Sequence, residues 1–150
     1  MEHRPISSFA AEVVNLIPQL LRGLMQHKGS DPLGQGKISM PQYIAMELLM
    51  KQGRLKMKDI ADGLNVSFPA ATGLVNRLHK IGIVKRASDE KDRRVIYIQL
   101  TDKGKKIVDE VRGNRHEFIK KIFGGLTEEE RSNYINVLRK VIKIMYPEES

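Results

Sequence analysis

The stretch from Met57 to Leu78 constrains the fold more than any other part of this 150-residue chain. Ile60, Ala61 and Leu64 give a short helix one apolar face, and Asn65 follows where a tight turn calls for a left-handed residue. Ser67 then supplies an N-cap oxygen, and Pro69 sits in a first turn where its missing N–H costs nothing. A second helix is predicted from about Phe68 to Ile81, with Ala71, Leu74, Val75 and Leu78 on its inner face. Two short helices joined by a tight turn, with the small Ala61 at their crossing, make a helix-turn-helix. This spacing suits DNA binding, and it also suits a plain structural hairpin.

The next segment weighs towards DNA. Gly82 to Ala87 is a short strand candidate, and Val95 to Leu100 alternates, with Ile96, Ile98 and Leu100 on one face. Ser88 to Arg94 between them is too charged to pack and too long for a two-residue turn. The result is a hairpin with a charged tip directly after the second helix, which has the form of a wing. A merely solvated loop gives no reason for two arginines, Arg93 and Arg94, at its return.

The flanks read as helices. Phe9, Val13, Leu16, Leu20 and Leu24 mark one over residues 6–28, and Pro18 inside it predicts a kink or a break. Residues 29–36 are loop by composition. Ser39 and Gln42 have capping-box spacing, so another helix should begin at about Met40, bury Tyr43, Met46, Leu49 and Met50, and stop at Gly53. Thr101 heads a helix of roughly twenty residues carrying Ile107, Val108, Val111, Phe118, Ile119 and Ile122, ended by Gly124 and Gly125. Thr127 and Glu130 form a further capping box before Tyr134, Leu138, Val141, Ile142 and Met145, and that helix stops before Pro147.

The terminal helices have more apolar surface than a small winged unit can cover, and a second copy of the chain is the simplest cover. The expected fold class is therefore mainly α (α+β). It is a winged helix-turn-helix with a two-stranded wing, flanked by N- and C-terminal helices that form a dimerisation region. Residues 1–37 supply the N-terminal dimerisation helix, residues 38–100 the DNA-binding region, and residues 101–150 the C-terminal dimerisation helices.

Charge agrees with this reading without deciding it. Lys and Arg number 26 against 18 Asp and Glu, a formal net charge of +8. Residues 1–50 are balanced, residues 51–100 carry +6 and residues 101–150 carry +2. A surplus centred on the middle third favours a polyanion, or is simply a well-solvated surface. The absence of cysteine excludes disulfides, thiolate metal sites and thiol nucleophiles. No apolar run approaches the roughly 18–20 residues of a membrane span, and Met1 to Pro5 lack an apolar signal core. A cytoplasmic protein with no membrane partner is expected. His3, His27, His79 and His116 are scattered, so no metal site, cofactor or enzymatic centre is expected.

The chain resembles the MarR family of winged helix-turn-helix transcription regulators, most closely from about Lys58 to Gly104. Met57 to Asn65 is similar to the first motif helix and turn, Ser67 to Leu78 to the recognition helix, and Gly82 to Arg86 to the strand after it. Asp89 to Arg94 and Leu100 to Gly104 match the wing and its exit, which are the specific parts. The resemblance implies a homodimer on pseudo-palindromic double-stranded DNA, with recognition helices in successive major grooves and wings in flanking minor grooves. It also implies release from DNA by a small, often aromatic, anion. Gly73 stands where the family often has Arg, and Lys56 where a capping Thr or Ser is usual.

On that footing the candidate DNA-binding residues are Ser67, Phe68, Ala70, Thr72, Gly73, Asn76 and Arg77 on the recognition helix, with Lys91, Asp92, Arg93 and Arg94 on the wing. Asn76 has the groups to read adenine, Thr72 to meet base or phosphate, and Phe68 or Ala70 to touch a thymine methyl. Arg77 either bonds phosphate or braces the fold against an acid. Arg94 resembles the wing arginine that enters the minor groove, with Asp92 holding it, while Lys91 and Arg93 contact phosphate or are solvated. Tyr43 and Met46 are the candidate effector contacts. The methionines at 40, 46, 50 and 57 either fill a core or line a pliable pocket. Two other readings stay open: an architectural DNA-binding protein without an effector, and a winged-helix protein-interaction module.

Overall fold

The computed structural model describes residues 4–25 and 29–147. His3, His27 and the last residues of the expected first helix, 26–28, lie outside them. The described chain is mainly helical. In order it forms α1 (Ile6–Met25), α2 (Met40–Gln52), β1 (Arg54–Leu55), α3 (Met57–Leu64), α4 (Phe68–Lys80), β2 (Val84–Ser88), β3 (Ile96–Leu100), α5 (Asp102–Phe123) and α6 (Glu128–Met145).

Local chemistry sets most boundaries. Ser39 caps α2: its backbone N–H donates to Gln42 Oε1 at 2.8 Å, and its hydroxyl accepts from the Gln42 N–H at 3.4 Å. Asn65 ends α3 in the left-handed region, φ 51° and ψ 48°, as the turn requires. Its N–H and that of Val66 close onto the carbonyls of Asp62 and Ala61, each at 3.1 Å. Ser67 Oγ then accepts from the Ala70 N–H at 3.3 Å and opens α4. Lys56 offers no side-chain cap to α3, and Asp59 accepts its backbone N–H at 3.4 Å instead. Pro18 does not break α1, which continues through it. One missing backbone donor does not by itself end a helix of 20 residues.

The strands form one antiparallel sheet in the order β1-β3-β2, with Arg54 opposite Gln99, and Val84 to Ser88 opposite Leu100 to Ile96. The two-residue β1 was not expected: Arg54-Leu55 is too short for any period to show. Only part of the alternating face of β3 is covered. Ile98 and Leu100 are buried, whereas Ile96 extends past the core towards the wing tip and is exposed.

A first compact unit ends at Arg112 and a second begins at Gly113. The first has one core, to which α2 gives Met46 and Leu49, α3 Ile60, α4 Val75 and Leu78, and the sheet Val84 and Ile98. Val108 and Val111 of α5 belong to it, so the winged core continues past residue 100. Thr101 fastens the corner where β3 meets α5. Its N–H and its hydroxyl donate to the Ile83 carbonyl at 3.0 and 3.1 Å, and the hydroxyl also donates to the Gly82 carbonyl at 2.6 Å. The same hydroxyl accepts from the Gly104 N–H at 3.1 Å, capping α5.

In the second unit Thr127 and Glu130 cap α6 reciprocally, at 2.8 and 3.2 Å. The Phe123 and Tyr134 rings pack tilted at 50°, 5.1 Å between centroids. No described residue of α6 is buried, and Tyr134, Leu138, Val141, Ile142 and Met145 all stand open, as do Phe9, Leu16 and Leu20 on α1.

Candidate nucleic-acid interface

Helix α4 buries Ala71, Leu74, Val75 and Leu78, which turns the opposite stripe outwards by helical period. Phe68, Ala70, Asn76 and Arg77 are exposed on it, and Thr72 and Gly73 are half-buried. The structure thus brings the expected recognition-helix residues together on one surface. Two of them are partly committed to the helix itself. Ser67 is its cap, and the Thr72 hydroxyl donates to the Phe68 carbonyl at 2.9 Å. Among the described residues no acid meets Arg77, so no bracing partner stands beside it. A Cβ on Gly73 would meet nothing within 4 Å, so local packing does not demand glycine there.

The wing is β2, β3 and the turn between them. The Asp89 N–H donates to the Val95 carbonyl and the Val95 N–H to the Asp92 carbonyl, each at 2.9 Å, closing the turn. Within it Asp92 Oδ1 accepts from the Arg94 backbone N–H at 3.0 Å and from Nε at 3.2 Å, while Oδ2 accepts from Nη2 at 3.4 Å. The guanidinium bonds first, and then the backbone N–H, hold the Asp92 carboxyl below its usual value. The Arg94 side chain is nevertheless 92% exposed. Lys91 and Arg93 stand exposed beside it. The base of the wing is braced from β1, where the Arg54 guanidinium lies 4.3 Å from the centre of the Tyr97 ring and 3.9 Å from Asp89.

A side-chain hydrogen bond links wing and recognition helix. A terminal nitrogen of Arg86, on β2, donates to Oδ1 of Asn76 on α4. Sequence reasoning missed it, because neither side chain has a periodic or spacing signature that names the other.

The candidate effector contacts lie inside the fold. Met46 is 0% exposed and Tyr43 7%, both within the core of the first unit. Met46 is therefore a core methionine and has no surface to offer a ligand, because α2 turns that face onto the sheet and α4. Tyr43 keeps one outward group: its hydroxyl donates to Glu47, whose carboxylate accepts a two-pronged bond from Arg112 on α5, with Nε at 2.9 Å from Oε1. The Arg112 bond chiefly lowers the Glu47 carboxyl below its usual value, with burial opposing and Tyr43 assisting. Among the described residues no cluster of His, Asp and Glu is arranged for a metal ion, and no helix is long and apolar enough to cross a membrane.

Known proteins share this arrangement. The MarR family model matches residues 38–96, which run from the start of α2 into β3. The chain is 28% identical over 121 residues to the HTH-type transcriptional regulator YsmB of Bacillus subtilis, covering 81% of this chain and 83% of that protein. It is 29% identical over 128 residues to the HTH-type transcriptional repressor MdtR of the same organism, covering 85% and 83%. The solved structure of a MarR family protein from Bacillus stearothermophilus superimposes with a TM-score of 0.81 at 27% identity, covering 93% of this chain and 96% of that one. These matches mark residues 38–96 as a MarR-family domain and make the chain, over core and flanks, similar to transcriptional regulators of that family.

Proposed function

We propose that this chain is a homodimeric repressor that binds pseudo-palindromic operators and is released by a small aromatic or anionic effector. The observation that carries the DNA reading is Arg94, held by Asp92 through side chain and backbone yet 92% exposed. A cation fixed in direction by Asp92 and otherwise open to solvent suits a narrow, negative minor groove. In the same reading Phe68, Ala70, Thr72, Gly73, Asn76 and Arg77 face the major groove, and Lys91 and Arg93 face phosphates.

The dimer is supported by the exposed apolar residues that recur along α1 and α6, since grouped exposed apolar side chains mark interaction surfaces. Repression is supported by the likeness to MdtR, a repressor by name. For the effector, a groove of about 350 Å³ lies beside α2, lined by Ile44, Glu47, Leu48, Met50, Lys51 and Arg112. Lys51 and the apolar wall suit a small aromatic anion, with Arg112 held at the rim by Glu47 and the Tyr43 hydroxyl one bond away through the same carboxylate. To release DNA, such a ligand must bind the DNA-incompetent arrangement more tightly than the competent one.

Selection of bound duplexes from a random pool at fixed salt tests the reading. A two-fold motif supports the regulator, the absence of any enriched motif supports the architectural protein, and no binding supports the interaction module. A panel of aromatic acids that changes neither operator affinity nor melting temperature would remove the effector.

A further inference from the structure

We infer that Asn76 and Arg86 act as one reading unit dominated by hydrogen-bond donors, so that Arg86 biases what Asn76 recognises. The inference rests on the reading that α4 enters the major groove. A free asparagine amide presents an acceptor and a donor, and that pair is what matches N6 and N7 of adenine. Here one of the two lone pairs of the acceptor is already engaged: Oδ1 of Asn76 receives a terminal N–H of Arg86, which also sets a cation beside the other. The orientation of the amide is settled by chemistry, because a guanidinium has no acceptor and only the oxygen can face it.

The sheet explains why the arginine is there. Val84 and Arg86 are two residues apart on β2 and so share a face, and Val84 is buried in the core beneath α4. Arg86 continues that face past the edge of the core, where the outward side of α4 carries Asn76. Both residues are exposed, and among the described residues Nδ2 of Asn76 and the other N–H groups of Arg86 meet no acceptor. The unit therefore presents a neutral donor and a charged planar set of donors, side by side, on the recognition surface. What it favours on DNA is an acceptor, either O6 and N7 of guanine or a phosphate oxygen.

The test compares wild type, Asn76→Ala, Arg86→Ala and Arg86→Gln on the enriched duplex and its single-base-pair variants, at several salt concentrations. Arg86→Ala frees Oδ1, so it should gain a preference for adenine at one base pair of each half-site, of about five- to a hundred-fold relative to wild type. If the acceptor is guanine, wild type favours guanine there and Arg86→Ala loses that preference. If it is phosphate, wild type is indifferent at that pair, and Arg86→Ala and Arg86→Gln each lower the salt slope by about one. Arg86→Gln retains an N–H for Asn76, so its melting temperature should stay near wild type.

A wild type that already prefers adenine at a pair where Asn76→Ala abolishes the preference would overturn the inference. So would Arg86→Ala lowering only the melting temperature while base ranking and salt slope stay put, since the bond would then be only a strap. Failure of wild type to bind any duplex would instead overturn the DNA reading itself.

Discussion

Gly104 sits in the first turn of α5 against the turn between α4 and β2, and replacing it with alanine should damage the winged unit. A Cβ built there falls 2.3 Å from the Ile83 carbonyl oxygen, 3.3 Å from its carbon and 3.0 Å from Leu100 Cδ2. The first distance is about 1 Å inside ordinary contact. The obstacle cannot swing away, because the Ile83 carbonyl is held by both the N–H and the hydroxyl of Thr101. Overpacking of this kind costs about 1–3 kcal/mol, and a backbone obstacle places it in the upper half of that range. With a small helix-propensity gain subtracted, about 2 kcal/mol remains, or roughly 4–8 °C of melting temperature for a chain of this size. Gly73→Ala is the internal control. It lies within α4 with open space around it, so alanine should stabilise by about 0.5–1 kcal/mol. Urea unfolding of both variants at one protein concentration, with unchanged slope, reads the two signs. If Gly104→Ala falls within about 0.5 kcal/mol of wild type, the corner is softer than the packing argument requires and the reasoning is wrong.

Other perturbations separate the remaining roles. Arg94→Ala should lose most affinity on operators with A·T-rich flanks, and Asp92→Ala should follow it in part although it removes a negative charge near DNA. Tighter binding of Asp92→Ala on every duplex would reduce the wing to a charged arm. Replacing Leu138 and Val141, 40% and 44% exposed on α6, by Glu should lower both association in light scattering and DNA binding. A wild type that scatters as a monomer at micromolar concentration would refute the dimer. Glu47 has a lowered folded pKa, so its contribution to stability is present above its ordinary value of 4.5 and lost as pH falls through the folded value. Glu47→Gln should therefore flatten the acid limb of a stability profile below about pH 4.5, and an unchanged limb would exclude the Arg112 bond as its source.

How much of this was legible in the residues depended on the range of each interaction. The caps at Ser39, Ser67 and Thr127 act over three positions, and Asn65 answers a constraint at a single residue, so each could be read in place. The stripe on α4 followed from helical period alone. Contacts made by the fold left no such trace. Arg112 reaches Glu47 from 65 positions away, and Thr101 reaches Gly82 from 19. Arg86 finds Asn76 only because strand and helix are packed together. Composition near α2 also misled: a cluster of methionines fits a pocket or a core equally well, and only the packing puts Met46 wholly inside. On β3 the alternation continued one step beyond the material available to cover it, leaving Ile96 open.

The narrow sheet has a colloidal consequence. With the order β1-β3-β2, β2 is an edge strand of five residues, and nothing in the described sheet pairs with its outer side. Unpaired N–H and C=O groups along such an edge are a template on which another molecule can add a strand. The middle of this one carries Lys85 and Arg86, both exposed. Two molecules approaching edge to edge would press these cations together, and the resulting repulsion keeps the wing from growing into a shared sheet. Replacing Lys85 and Arg86 by valine would turn Val84 to Ala87 into a continuous apolar run on an open edge. Concentrated solutions of that variant should then form aggregates with a β signature, in a protein whose wild-type spectrum is dominated by helix.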